Sequence, residues 1–450
     1  MTMEKEAWMK ILRYLKIRDK ARTDILDDIL PQDIAEMITE MEPVEQSEVF
    51  ELLNDEEAAL ILGELEIAEQ ANIISTMADK RSAKILHFMP SDDVADLLGG
   101  LENQKAQSIL KNMNKEDVDE VTGLLNYPTD SAGGLMTTEY IAFKETTKVK
   151  QALSKLRELA PSAETVYYLY TVDEQERLVG VISLRELIAS PDDETLSQIM
   201  RTNILSVNVE TDQEEVASIV QKYDFLAIPV VNSENKLLGI ITVDDIMDVI
   251  EEETTEDIYH LVGTSEKEGE SLVHASVLAT AKARLPWLIV CLLGGLISGF
   301  VIDSYEDTLA SVIALAAFIP VIMDMGGNVG SQSSTVFVRG VATGEIMPKD
   351  MFGYFFKDFK VGLIMGIVCG VSVAGAAALW QGNPMLGVVV GLAMFCTVTL
   401  AATIGTLIPI FFVRLGVDPA VTAGPFVTTI KDVTGLMIYF YIAMTFMEYL

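Results

Sequence analysis

The stretch "PFVTTIKDVTGLMIYF", residues 425–440, decides how this chain is read. Apolar sequence surrounds it: "MLGVVVGLAMFCTVTLAATIGTLIPIFF" (385–412) before, "MIYFYIAMTFM" (437–447) closing it. Yet Asp432 stands in its middle, beside Lys431. An ionised carboxylate in hydrocarbon is costly, so such residues face a bundle interior or a water-filled path. Pro425, Thr428, Asp432 and Gly435 recur three or four apart, so they share one small, polar helix face. Lys431 lies about 100° away on such a helix. It either pairs with Asp432 or snorkels toward the cytoplasmic surface.

Working outward, apolar runs at about 285–302, 308–325, 361–380, 385–413 and 433–447 each approach the ~20 residues that span a bilayer. Five crossings put the two ends of the chain on opposite sides. Lys282, Arg284, Arg339, Lys349, Lys357, Lys360 and Arg414 all fall on one side, whereas the opposite loops "DSYEDT" and "QGNPM" hold no Lys or Arg. The N-terminal half is therefore expected in the cytoplasm and the C-terminus outside a cell membrane. The start, "MTMEKEAWMKILRYLKIRDK", lacks the apolar run of a signal peptide.

Charge divides the chain as sharply. The net charge is −35, but residues 285–450 hold only 10 acids against 6 bases. Residues 1–284 carry 57 acids against 26 bases, a net charge of −31. Such a surface argues against nucleic acid and for cations as partners. Cys291, Cys369 and Cys396 are scattered through the apolar half, so no disulfide framework or thiolate site is expected in the soluble half.

In residues 30–125 small residues recur about every 12 positions: Ala35, Ser47, Ala59, Ala71, Ala83, Ala95 and Ala106. One short helix plus a turn fits that period, which predicts a helical solenoid. Further on, "VYYLYTVDEQERLVGVISLRELI" (166–188) superimposes on "FLAIPVVNSENKLLGIITVDDIM" (225–247) at an offset of 59. Each reads strand, acidic turn, strand and helix, a duplicated α/β unit. The pattern resembles a pair of CBS domains, which usually sense a ligand. In some such pairs the cleft binds an adenine nucleotide; Tyr170 and Phe225 are candidates to stack on a base, or else core aromatics. The stretch 244–284 reads as a helical, acidic linker.

A second polar feature, "MGGNVGSQSS" (325–334), ends the second apolar run. Its glycines permit a helix to break, and broken backbone at membrane depth survives only where it lines protein or water. Asn328, Ser331 and Gln332 then offer neutral oxygens along a wet path. No Gly-Lys-Ser/Thr follows, so a phosphate loop is excluded. A carboxylate with neutral oxygens, without His or Cys, is a hard-ligand set for Mg²⁺ or Ca²⁺. On a two-fold axis two copies of Asp432 repel each other, and a divalent cation relieves that.

The order of these parts, with "PVIMDMGGNVGSQSS" (320–334) and "DPAVTAGPFVTTIKDVTG" (418–435), resembles the MgtE family of magnesium channels. The resemblance implies a superhelical all-α N domain (1–128), a CBS pair (129–250), a long acidic linker helix (251–283) and a five-helix transmembrane domain (284–450) forming a homodimeric pore. It implies Mg²⁺ as substrate and regulator, with Asp432, Asn328, Gln332, Thr428 and Gly327 in the pore; Gly424 and Thr428 vary among relatives. It also implies sensing by Glu57, Asp92 and Asp96 in the N domain, with Asp93 competing for the role of Asp92. Glu214, Asp224, Asp245 and Asp248 in the CBS pair and Glu253, Glu256 and Asp257 in the linker complete the implied sensor. Rival readings are a channel for Co²⁺, Mn²⁺ or Ca²⁺, and a membrane-anchored CBS sensor that transports nothing. No nucleophile–base spacing favours an enzyme, and His87, His260 and His274 read as structural.

Overall fold

A computed structural model describes residues 30–264, 272, 275–420 and 424–450. The first 29 residues of the N domain, the linker around His274 and residues 421–423 lie outside the described residues. The chain divides into two units, meeting between Glu251 and Glu252.

The first unit begins with eight short helices between Pro31 and Leu124. Turn residues punctuate them: Pro31 and Pro43 open helices, and Asn54 caps the helix Asp55–Gly63 in a reciprocal box with Glu57. Each helix packs on the next but one in sequence. The 12-residue period thus marks one helix and the 24-residue period one layer-to-layer repeat, a two-layer superhelix. Ala35, Ala59, Ala83 and Ala95 are buried where helices approach.

The α/β region is two copies of one three-stranded sheet. In the first, β1 (Ala142–Lys144) runs parallel to β2 (Tyr168–Val172), which pairs antiparallel with β3 (Leu178–Ser183). The second repeats this with β4 (Val207–Asn208), β5 (Ala227–Val231) and β6 (Leu237–Thr242). The offset of 59 maps β2 and β3 onto β5 and β6 residue for residue, including the register shifts at Thr171/Val172 and Val230/Val231. It also maps Gly180 onto Gly239; a methyl group at Gly239 would stand 2.6 Å from the Thr137 carbonyl oxygen. That carbonyl accepts the Ile240 N–H, so close approach, not flexibility, requires the glycine. The core of the helical repeat continues into the second sheet through Val207, Ile228 and Ile241.

In the second unit five helices are long and apolar enough to cross a membrane: Val277–Ser304, Ile313–Ala342, Met351–Gln381, Pro384–Arg414 and Phe426–Thr445. The fourth is the most enclosed, packed by the second, third and fifth. Small residues let backbones meet without an apolar driving force. Gly362, Gly366 and Gly370 of the third span lie against Ala402, Phe395 and Gly391 of the fourth. The second crossing is longer than its apolar run and is not broken at its glycines. A 3₁₀ turn, Ile313–Phe318, leads into one continuous helix, Ile319–Ala342. The expected break at "MGGN" is thus corrected: every backbone group there is satisfied within the helix, and the glycines serve close packing instead.

Candidate functional site: a polar face in the membrane half and two acidic clusters

The second span carries most of its polar residues on one exposed side. Asp324, Asn328, Ser331, Gln332 and Thr335 are exposed, while Ile322, Gly326, Val329, Gly330 and Ser333 are buried. The spacing from Asp324 to Asn328 to Gln332 is one helical turn each, and Asn328 Nδ2 donates to Asp324 Oδ2 at 3.2 Å. An exposed polar stripe on a membrane helix faces water or another protein surface, since lipid would leave it unsatisfied. Sequence reading passed over Asp324; its place one turn before Asn328 was the available signal.

The fifth span packs on the first, second and fourth. Thr429 fills the space left by Gly294 of the first span, and Gly435 rests on Thr397 of the fourth. Gly435, expected on the polar face, is therefore a packing position. Thr428 and Asp432 stay partly exposed. Lys431 corrects the expectation that it snorkels, while Asp432 still acts on it. Its side chain does not snorkel outward but is 4% exposed, laid across the second span. A methyl group at Gly327 would stand 3.2 Å from its Nζ, and one at Gly330 would stand 3.0 Å from its Cδ. Asp432 and Asp324 are its electrostatic partners, rather than Asp432 alone. A further buried acid, Asp358 of the third span, accepts a hydrogen bond from Thr406 of the fourth.

One acidic cluster lies within the first unit. Asp92 opens the helix Ser91–Gly100, is 8% exposed and has no partner for Oδ1. Burial, then Asp93 and Asp245, push its carboxyl up to about 9. Burial, then Asp245, Asp96 and Glu164, push Asp93 up to about 7. Burial also raises Asp245, although Thr242 donates from its hydroxyl and backbone N–H to Oδ2. Glu139, missed in the sequence with Glu164, is pushed up to about 7 by burial and Glu164. Acids from the helical repeat and the CBS pair thus converge, and both Asp92 and Asp93 take part. Burial and neighbouring acids raise Asp248 too.

The remaining candidates stand apart. Glu57 accepts a hydrogen bond from the Asn54 N–H. Glu214 is in the first turn of Gln213–Tyr223 and Asp224 is the left-handed cap of that same helix. Ten residues of helix separate them by roughly 15 Å, so they do not share one ion. Tyr170 is buried in the core at 1% exposure, and Phe225 stacks on Tyr223 at 5.6 Å.

The second cluster lies in the second unit, at the end of the helix Val243–Leu261. His260 Nδ1 stands 3.5 Å from Asp418 and Nε2 stands 3.7 Å from Glu256. Asp257 is pushed up to about 6 by burial and Asp418, opposed by Arg339. Glu253 is half-exposed on the same helix. The Leu261 carbonyl lies against Gly424, where a methyl group would stand 2.8 Å from it, and Leu261 packs with Val338 and Ala420. Among the described residues no three His, Cys, Asp or Glu side chains are close enough to hold a bare metal ion together.

Residues 319–442 match the family described as MgtE, divalent cation transporter; residues 29–130 match the MgtE intracellular N domain, and residues 132–192 and 196–252 match CBS domains. The magnesium transporter MgtE of Bacillus subtilis is 43% identical over 325 residues, 72% of this chain and 71% of that one. That of Thermus thermophilus is 42% identical over 328 residues, 73% of this chain and 72% of that one. A solved cytosolic domain of the Mg²⁺ channel MgtE, in complex with ATP, superimposes with a TM-score of 0.51 at 39% identity; the match spans 53% of this chain and 98% of that one. The chain belongs to the MgtE family of divalent cation transporters.

Proposed function

We propose that this protein carries Mg²⁺ into the cytoplasm as a homodimeric channel, and that cytoplasmic Mg²⁺ closes it. The observation that carries the reading is the exposed polar stripe of the second span beside the partly exposed Asp432 of the fifth, within an otherwise apolar bundle. Relatives more than 40% identical are magnesium transporters. Asp432 attracts the ion; Asn328, Gln332, Thr428 and the backbone at Gly327 meet its water shell. Mg²⁺ sheds water reluctantly and needs few direct ligands, which suits a site without three converging acids. A two-fold axis doubles the carboxylates and encloses the path. The basic loops favour a first unit in the cytoplasm and a C-terminus outside.

The acidic clusters supply the gate. Asp92, Asp93, Asp96 and Asp245 repel one another until a cation enters; Glu57, Glu214, Asp224, Asp248, Glu253, Glu256 and Asp257 are the further acids to which cations would bind. Shifting a two-state gate from 1:99 to 99:1 needs ~5.5 kcal/mol of differential binding, which several weak sites supply together. A related cytosolic domain was crystallised with ATP, which favours an adenine nucleotide at the CBS pair as a second ligand. The Phe225–Tyr223 stack then offers the ring surface, since Tyr170 is enclosed.

Mg²⁺ uptake into liposomes holding the purified chain tests the pathway. Asp432→Ala is expected to lower uptake at least tenfold in protein that elutes like wild type; uptake at the wild-type rate contradicts the assignment. Competition by Co²⁺, Mn²⁺ and Ca²⁺ in the same assay ranks the ions.

A further inference from the structure

Lys431 is a buried cation next in sequence to the carboxylate proposed to attract the ion. Its position is built. Gly327 and Gly330 leave a groove on the second span, and the side chain fills it at 4% exposure, Cδ over Gly330 and Nζ over Gly327. Asp324 is three residues before Gly327, one turn up the same helix, and Asp432 is the next residue on the fifth span. These two acids are the charges that act on the ammonium. Neither closes a 4.0 Å ion pair with Nζ among the described residues. A packed stem thus holds a charged tip against the second span at Gly327, in the field of both carboxylates.

We propose that Lys431 is a tethered competitor for the transported ion, setting how much charge an entering cation must bring. Lys ends in a compact ammonium on a flexible stem, so it can swing between two acids in a way a guanidinium cannot. Being part of the chain, it competes without the translational entropy that a dissolved ion loses on binding. A monovalent ion offers the carboxylates no more charge than the ammonium already does. A divalent ion offers twice as much, and displaces the ammonium toward Asp324. This inference rests on Asp432 lining the pathway, and adds a residue that discriminates by charge.

The test is flux in proteoliposomes, with Mg²⁺ and Na⁺ as separate probes. Lys431→Met keeps the unbranched stem in its groove and removes the charge. Its half-saturating Mg²⁺ concentration is expected to fall three- to tenfold, and its Na⁺ flux to rise severalfold above that of wild type. Asp324→Asn, which leaves Asp432 as the sole partner of the ammonium, is expected to raise half-saturation severalfold, and to do so far less in the Lys431→Met background. Unchanged half-saturation and unchanged Na⁺ flux in Lys431→Met, with Asp432→Ala still inactive, overturns the inference and leaves the pathway reading intact. An active Asp432→Ala overturns both. Should Lys431→Met not fold, Asp324→Asn alone decides: raised half-saturation supports the inference, and an unchanged value overturns it.

Discussion

Asp92 shows what a single residue contributes. Its carboxyl titrates near 9 in the folded chain against 3.8 for an ordinary aspartate, chiefly because it is buried. The folded state therefore binds more protons than the unfolded state between those values, and stability falls as pH rises across the window. A cation at the cluster favours the ionised form and removes the slope. The protection factor of the helix Ser91–Gly100 in the full chain, corrected for the intrinsic rise of amide exchange with pH, is thus expected to fall from pH 5 to 9 without divalent ions, and to stay level in Mg²⁺. A protection factor that rises with pH, or that falls as steeply in Mg²⁺, contradicts this. Asp92→Asn should make the profile shallower in the absence of Mg²⁺, with Asp93 and Glu139, pushed up to about 7, leaving the remainder. The sequence placed Asp92 and Asp93 near the right surface but gave no means of choosing between them, because adjacent helical residues differ by only ~100°. Folding puts both in the cluster. Lys431 was illegible for a different reason: whether a lysine snorkels or inserts depends on a groove in another helix.

At the level of elements, periodicity was enough wherever one period governed a whole segment. The 12-residue spacing of small residues located the helices of the repeat, and the offset of 59 matched β2 and β3 with β5 and β6. Periodicity failed at "MGGN", where glycine serves either a break or a close approach and only the neighbouring helix decides. The packing account predicts the cost of filling such a position. Gly366→Val places a Cβ 2.9 Å from the Phe395 carbonyl oxygen and from Thr399 Oγ1. Forcing the third and fourth spans apart should cost ~1–3 kcal/mol, the usual range for overpacking. Thermal unfolding in detergent would register this as a clear loss, whereas Gly375→Val, with open space around it, should change little. Equal melting temperatures for the two variants would contradict the packing account.

For the molecule as a whole, the division into an acidic stretch, residues 1–284, and a nearly neutral apolar stretch, residues 285–450, was plain in the charge count, because each solvent dictates its own composition. What remained hidden was convergence: Glu139, Glu164, Asp324 and Asp418 join their sites only through folding. If cations bridge these acids, Mg²⁺ should protect the soluble unit from protease, and Asp245→Asn/Asp248→Asn/Glu253→Gln together should abolish that protection. Protection unchanged in the triple variant would remove the sensor from the proposal. The most direct measurement is Mg²⁺ entry into liposomes holding the purified chain, with the Mg²⁺ concentration on the side of the soluble unit varied. Entry should be rapid when that concentration is low and fall steeply as it rises; entry that is absent throughout, or indifferent to it, would contradict a Mg²⁺ pathway closed by its own ion.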